Sequence, residues 1–320
     1  MTGSRSAPLR RPASGFVSIG LVIAATLAIT LAWAVNYRPV VATGATPVSG
    51  PYRLPDGVAG LKLHVFNTGM NRMSAMLVGA NPPWRPVPAF VLEDPQQGLV
   101  VFDCGLSAAV ERDGALGYSL PTRWLVQSKG RVGRTLDAQM RETGLDPNKV
   151  RWVILSHLHE DHTGAAAAFP NATFIVGPGA DADLIAPGFH PKWRAISFAN
   201  SQRLPPFDAA IDLFGDGSVT LLPGGGHTRE DLMAIVALPK GPVLLAGDAV
   251  VHRDWLASDD VQRIAGNPSR AADVRNQVRA LLRERRDVYL FLGHDLDLPV
   301  MPRPDIVFHH ANWFDLSAWM

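Results

Sequence analysis

Three histidines and two carboxylates fall within the six positions from His157 to His162, with Leu158 as the sixth residue. They follow an apolar stretch, residues 150–155, that reads as a buried strand. A chain leaving a strand end there presents its polar groups on a loop held by a rigid sheet. Imidazole nitrogens beside a carboxylate suit zinc, or an iron or manganese ion of similar charge. With Glu160 set aside, His157, His159, Asp161 and His162 exceed what one tetrahedral ion takes from a single loop while keeping a position open for water. The spacing points to two metals side by side.

Three further ligand candidates each close an apolar stretch. Residues 219–222 run through Gly224, Gly225 and Gly226 into His227. Glycines admit backbone conformations closed to other residues and let the chain approach a metal closely. Residues 242–247 deliver Asp248, a carboxylate that is costly to bury unless paired or coordinated. Residues 288–293 end on Gly293 and present His294.

The set HLHEDH, GGGHT, LLAGD and FLGHD, in that order, resembles the metallo-β-lactamase superfamily over roughly residues 61–297. The resemblance implies an α/β fold, an αββα sandwich with a binuclear site at the edge of two packed sheets. It implies that His157, His159 and His227 hold one divalent metal ion, that Asp161, His162 and His294 hold a second, and that Asp248 bridges them. Zinc is the expected metal, with iron and manganese as alternatives. The implied activity is hydrolytic: a metal-activated water attacks an acyl carbon, and Asp161 moves a proton to the leaving group.

Within the superfamily the chain is most similar to the quorum-quenching N-acyl homoserine lactonases, so a lactone or related ester is the expected small-molecule substrate. Asp248 argues against the β-lactamase branches, and His159 against the flavo-di-iron branch. The lactonases carry a Tyr three positions after the bridging Asp. Here that position is Val251, followed by His252, which becomes the candidate substrate-contacting catalytic residue, with Tyr118 a second candidate. A thioesterase, a phosphoesterase and a mononuclear iron sulfur dioxygenase are the competing readings. Residues 88–93 and 99–105 read as a hairpin across the turn at Asp94, Pro95 and Gly98. The family's second strand often ends in Asp-Thr-Gly. Here it ends in Asp103, Cys104 and Gly105, and Asp103 is expected to orient a ligand histidine. Cys104 is read as a small apolar packing residue.

Arg5, Arg10 and Arg11 precede an uncharged apolar run over residues 16–35, long enough to cross a bilayer. It reads as a membrane anchor or a signal peptide, which places the catalytic domain outside the cytoplasm, in the periplasm. Residues 36–55 read as a linker and residues 56–320 as one hydrolase domain. A net charge of +1 gives no indication of a nucleic-acid partner, and a homodimer is compatible with the chain. One cysteine excludes an intrachain disulfide framework. Helices are expected over residues 131–143, ending at Gly144, and after Asn267-Pro268, with Val274, Val278, Leu281 and Leu282 as its apolar stripe. Residues 179–206 read as a loop-rich lid, and the aromatic tail 308–320, with His309 and His310, as a docking segment.

Overall fold

Apolar residues that alternate along strands, with both faces buried, build a two-sheet core. The computed structural model describes residues 40–41, 44–74, 77, 83–181, 184–186, 188–261, 265–295 and 303–309. The strands are β1 (Val40–Val41), β2 (Lys62–Met73), β3 (Arg85–Asp94), β4 (Gly98–Phe102), β5 (Val126–Lys129), β6 (Val150–Ile154), β7 (Thr173–Val176) and β8 (Lys192–Ala195). They continue with β9 (Gln202–Leu204), β10 (Phe207–Asp212), β11 (Val219–Pro223), β12 (Leu232–Val236), β13 (Val243–Leu245), β14 (Asp260–Val261), β15 (Tyr289–Phe291) and β16 (Ile306–Phe308). One mixed sheet runs β16-β2-β3-β4-β6-β7-β8, with β5 also paired to β2. A second runs β15-β13-β12-β11-β10-β9.

The second sheet shows how the pleat sorts side chains. Val219, Leu221, Ala234, Val236, Val243 and Leu245 join the core shared with the first sheet. Their neighbours Leu222, Met233, Ile235 and Leu244 face the other way, onto Val274, Val278 and Leu281 of the helix Pro268–Glu284. With both faces covered, the strands carry no polar alternation. On the first sheet the helix Leu136–Glu142 contributes buried Leu136 and Met140. This is the expected α/β sandwich.

The hairpin forms as expected: β3 and β4 pair antiparallel, and Asp94 Oδ1 accepts from the amides of Gln96 and Gln97 in the turn. Asn267 caps the helix Pro268–Glu284, accepting from the Arg270 amide at 3.1 Å. The helix expected from residue 131 begins only at Leu136, because Gly133 sits at φ 84° and breaks the helical path. Residues 179–206 are less irregular than expected, since β8 and β9 extend the two sheets at their edges. Both are short and exposed, so they leave no apolar alternation to read. Val40–Val41, within the presumed linker, pairs with β14. At the other end, Phe308 lies in β16 beside β2, and the His309 ring stacks on Phe66 at 4.4 Å. The apolar run 16–35 and the tail from His310 lie outside the described residues.

β4 and β6 are parallel, as are β13 and β15, so each pair ends at the same edge. That shared edge places the residues that follow these strands together.

Candidate metal centre

Asp103 follows β4 with φ 58°, the one non-glycine positive φ among the described residues. Asp tolerates this region at modest cost. The turn aims its carboxylate across to the loop after β6. Oδ1 accepts from the Ser156 amide at 2.7 Å; Oδ2 accepts from Ser156 Oγ and pairs with His162 Nδ1, both at 2.8 Å. The expected orienting role of Asp103 is met by this contact, and His162 is left with Nε2 facing inward.

The loop after β6 stays extended through His157 and His159, then turns into the single helical turn Glu160–Thr163. His157 and His159 therefore project from extended chain, while Asp161 and His162 project from a helical turn. His157 Nε2 lies 2.8 Å from His159 Nδ1, and His227 Nε2 lies 3.0 Å from the same atom. Across the centre, His294 Nε2 is 3.4 Å from Asp161 Oδ2. Asp248 stands between the two halves. Its Oδ1 is 3.5 Å from both His162 Nε2 and His294 Nε2, and its Oδ2 is 3.4 Å from His227 Nε2. The ligand atoms fall into groups of three, each within 4.8 Å of one another: His157, His159, His227; His157, His162, Asp248; and Asp161, His162, His294. All seven residues singled out in the sequence as ligands are brought together.

Outer contacts fix the rings. Ser156 Oγ lies 3.1 Å from His157 Nδ1, and the Pro86 carbonyl accepts from His294 Nδ1 at 2.8 Å. The His227 loop turns through Gly225 and Gly226, at φ 73° and 109°. A β-carbon on Gly226 would meet the Ala271 amide nitrogen at 2.5 Å, so the loop lies directly on the start of the helix Pro268–Glu284. The Asn267 amide also donates to the Gly226 carbonyl.

The electrostatics fit a cation. Burial pulls His162 down, but Asp103, Asp248 and Asp161 push it up to about 10. Burial raises Asp248, yet His294 and His162 hold its carboxyl well below the usual range. Buried His162 Nε2 and Asp248 Oδ1 make no hydrogen bond among the described residues. Buried polar atoms without partners are rare, and these two belong to a cluster of five imidazoles and two carboxylates. The donor set of nitrogens and carboxylate oxygens fits one or two divalent ions of the zinc, iron or manganese type.

Other residues do not match their sequence reading, or were not read at all. Tyr118 is buried rather than open to a substrate: its hydroxyl donates to Asn71 Oδ1 at 3.2 Å. Asn71 Nδ2 in turn donates to Asp161 Oδ2 at 2.7 Å. Val251 is buried, and His252 beside it turns Nδ1 toward Asp254 Oδ2 at 3.3 Å, outside the ligand groups. Asn71 gave no sequence signal, and Ser156 and Asp231 were not read as supports of the ligands. Asp231 accepts from the His227 and Thr228 amides at 3.0 Å, and burial pushes its carboxyl up to about 7 against the Thr228 bonds. Only the Asp four residues after a Gly-rich ligand loop hinted at such a cap. Cys104 is buried as expected, and burial pushes its thiol up.

Residues 82–294 match the family model of the metallo-beta-lactamase superfamily. The chain is 33% identical over 268 residues to the N-acyl homoserine lactonase AttM of Azorhizobium caulinodans, covering 77% of this chain and 93% of that one. It is 32% identical over 268 residues to AttM of Agrobacterium fabrum, with the same coverage. Among solved structures it resembles an N-acyl homoserine lactone hydrolase with N-hexanoyl-L-homoserine at its catalytic metal centre, with TM-score 0.60, 18% identity, and 78% and 99% of the two chains covered. The dizinc quorum-quenching lactonase AidC is similar at TM-score 0.51 and 14% identity, over 81% and 93% of the chains. The chain is thus a hydrolase of the metallo-beta-lactamase superfamily, homologous over most of its length to that superfamily's N-acyl homoserine lactonases.

Proposed function

We propose that the protein is a binuclear, zinc-dependent lactonase that opens N-acyl homoserine lactones or close analogues. The observation that carries this reading is Asp248, whose two oxygens face the two ligand groups separately. His157, His159 and His227 would hold one ion, Asp161, His162 and His294 the other, and Asp248 would bridge them. Bound metal would supply Lewis acidity, lowering the pKa of water and polarising the lactone carbonyl.

The chain's own residues set the rest. Asn71 holds Asp161 Oδ2, which leaves Oδ1 to carry a proton to the leaving oxygen as the ring opens. No Ser or Cys nucleophile is required. Kinship with the AttM lactonases supports a lactone over a thioester or a phosphate ester. The second ligand group supports two metals over the single iron of a sulfur dioxygenase. The apolar run 16–35 supports an anchored or exported enzyme. Recovery of the full chain in the membrane fraction, lost on removal of that run, tests this point.

The activity is tested by proton release in a pH-stat with N-hexanoyl homoserine lactone and metal-loaded protein. Rapid release that Asp248→Asn reduces at least a hundredfold, together with a fall from two metals per chain, is expected. Unchanged turnover or metal content in Asp248→Asn would remove the bridging role. No release by the native enzyme would reject the lactonase reading.

A further inference from the structure

A polar cluster at the rim of the centre lies outside the ligand set. Arg85 opens β3 directly opposite Asn71 of β2. Opposed residues of an antiparallel pair project from the same face. Asn71 donates to Asp161 Oδ2 from that face, and Arg85 projects from the same face of the strand pair. The next residue, Pro86, is tied to His294 through its carbonyl. Arg85 Nη2 lies 3.4 Å from Asp254 Oδ2, the oxygen that His252 Nδ1 also approaches at 3.3 Å. The Trp255 ring packs on His252 at 4.7 Å, and the Arg253–Asp295 pair at 3.0 Å pins this loop beside His294.

The cluster is short of acceptors. A guanidinium has five N–H donors, and Arg85 uses one, at long range. Among the described residues no other hydrogen-bond partner takes the rest, and the side chain is 25% exposed. Its charge is balanced by Asp254, while burial and Arg85 itself hold His252 down at about 4, so it stays neutral. Open donors without net charge suit an uncharged carbonyl oxygen. A carboxylate or phosphate would have to compete with Asp254.

We propose that Arg85, with His252 beside it and Asp254 as its counter-ion, recognises the acylamide carbonyl of an N-acyl lactone whose ring sits at the metal centre. The inference rests on the lactonase reading and names the part of the substrate that is selected. In such a substrate the acylamide carbonyl lies only a few bonds from the ring carbonyl, and Arg85 adjoins Pro86, whose carbonyl accepts from His294 Nδ1.

The test compares kcat/KM of metal-loaded native enzyme, Arg85→Met and Arg85→Lys on two substrates: N-hexanoyl homoserine lactone and γ-butyrolactone, which lacks the acylamide. A charge-assisted hydrogen bond corresponds to about a 10- to 100-fold effect. Arg85→Met is expected to lose that much on the acylated lactone, chiefly through KM, and at least tenfold more than on the plain one. Arg85→Lys should recover part of the loss. Calorimetric affinity for the ring-opened product, N-hexanoyl homoserine, should fall in parallel while metal content stays at the native level. Equal losses on both substrates would make Arg85 merely structural and overturn the inference alone. A native enzyme that opens neither lactone would overturn the lactonase reading and this inference with it.

Discussion

Gly293 precedes the candidate ligand His294, and its lack of a side chain is what matters. A β-carbon there would overlap Asp248 Oδ1 and crowd the Gly247 carbonyl at 2.8 Å. Gly293→Ala should therefore displace the bridging carboxylate with little change in backbone preference. Metal analysis should show loss of about one ion per chain, and hydrolysis should fall at least tenfold; full occupancy would mean that the loop yields. Asn71 presents a different case. Its amide bonds Asp161 and is held in turn by Tyr118 and Ser128. Outer contacts of this kind contribute about 10- to 100-fold in metal affinity or activity. Asn71→Leu should lower kcat by about that factor with KM little changed, and steady-state kinetics check it. The ligands were legible in the sequence because metal chemistry needs particular residue types at strand ends. Asn71 was not, because an Asn within a strand has no local mark that says which carboxylate it will meet.

At the scale of elements, β16 joins the first sheet through the far end of β2. There His64 Nδ1 meets His309 Nε2 at 2.8 Å, and His64 Nε2 meets Glu93 Oε1 at 2.7 Å. Burial lowers the His64 pKa below its ordinary 6.5, although Glu93 opposes the shift and Lys62 adds to it. The unfolded chain then binds the proton more readily than the folded one. Stability is present above about pH 6.5 and is lost as pH falls from there toward the lowered folded value. His64→Asn should narrow the difference in melting temperature between pH 7.5 and pH 5.5, measured by calorimetry, and an unchanged difference would remove His64 from the acid response. The hairpin and the capped helix could be foreseen, because turn residues and a helical stripe are local signals. β8, β9 and β16 could not, because short edge strands derive their pairing from the sheet they join.

For the whole molecule, the candidate metal centre lies at the seam between the two sheets. The Leu232 amide donates to the Ser156 carbonyl at 2.7 Å, and the ligands come from loops of both sheets. Without ions, the buried imidazoles and carboxylates face one another with unbonded atoms. Ions that bind only the folded state stabilise it by mass action. Chelation should lower the melting temperature by several degrees, and readdition of zinc should restore it. A melting temperature indifferent to chelation would show that the seam holds without metal.

The sequence by itself determined the candidate ligand set, its order along the chain and the α/β class, because each candidate ligand or ligand cluster follows an apolar strand. Only the tertiary structure decided that Asn71 and Ser156 support the candidate ligands, that Tyr118 is buried, and that Arg85 lies against Asp254. Those outcomes depend on strand register and on which strand ends meet at one edge. Register is set by pairing between distant segments, so no local stretch of sequence contains it.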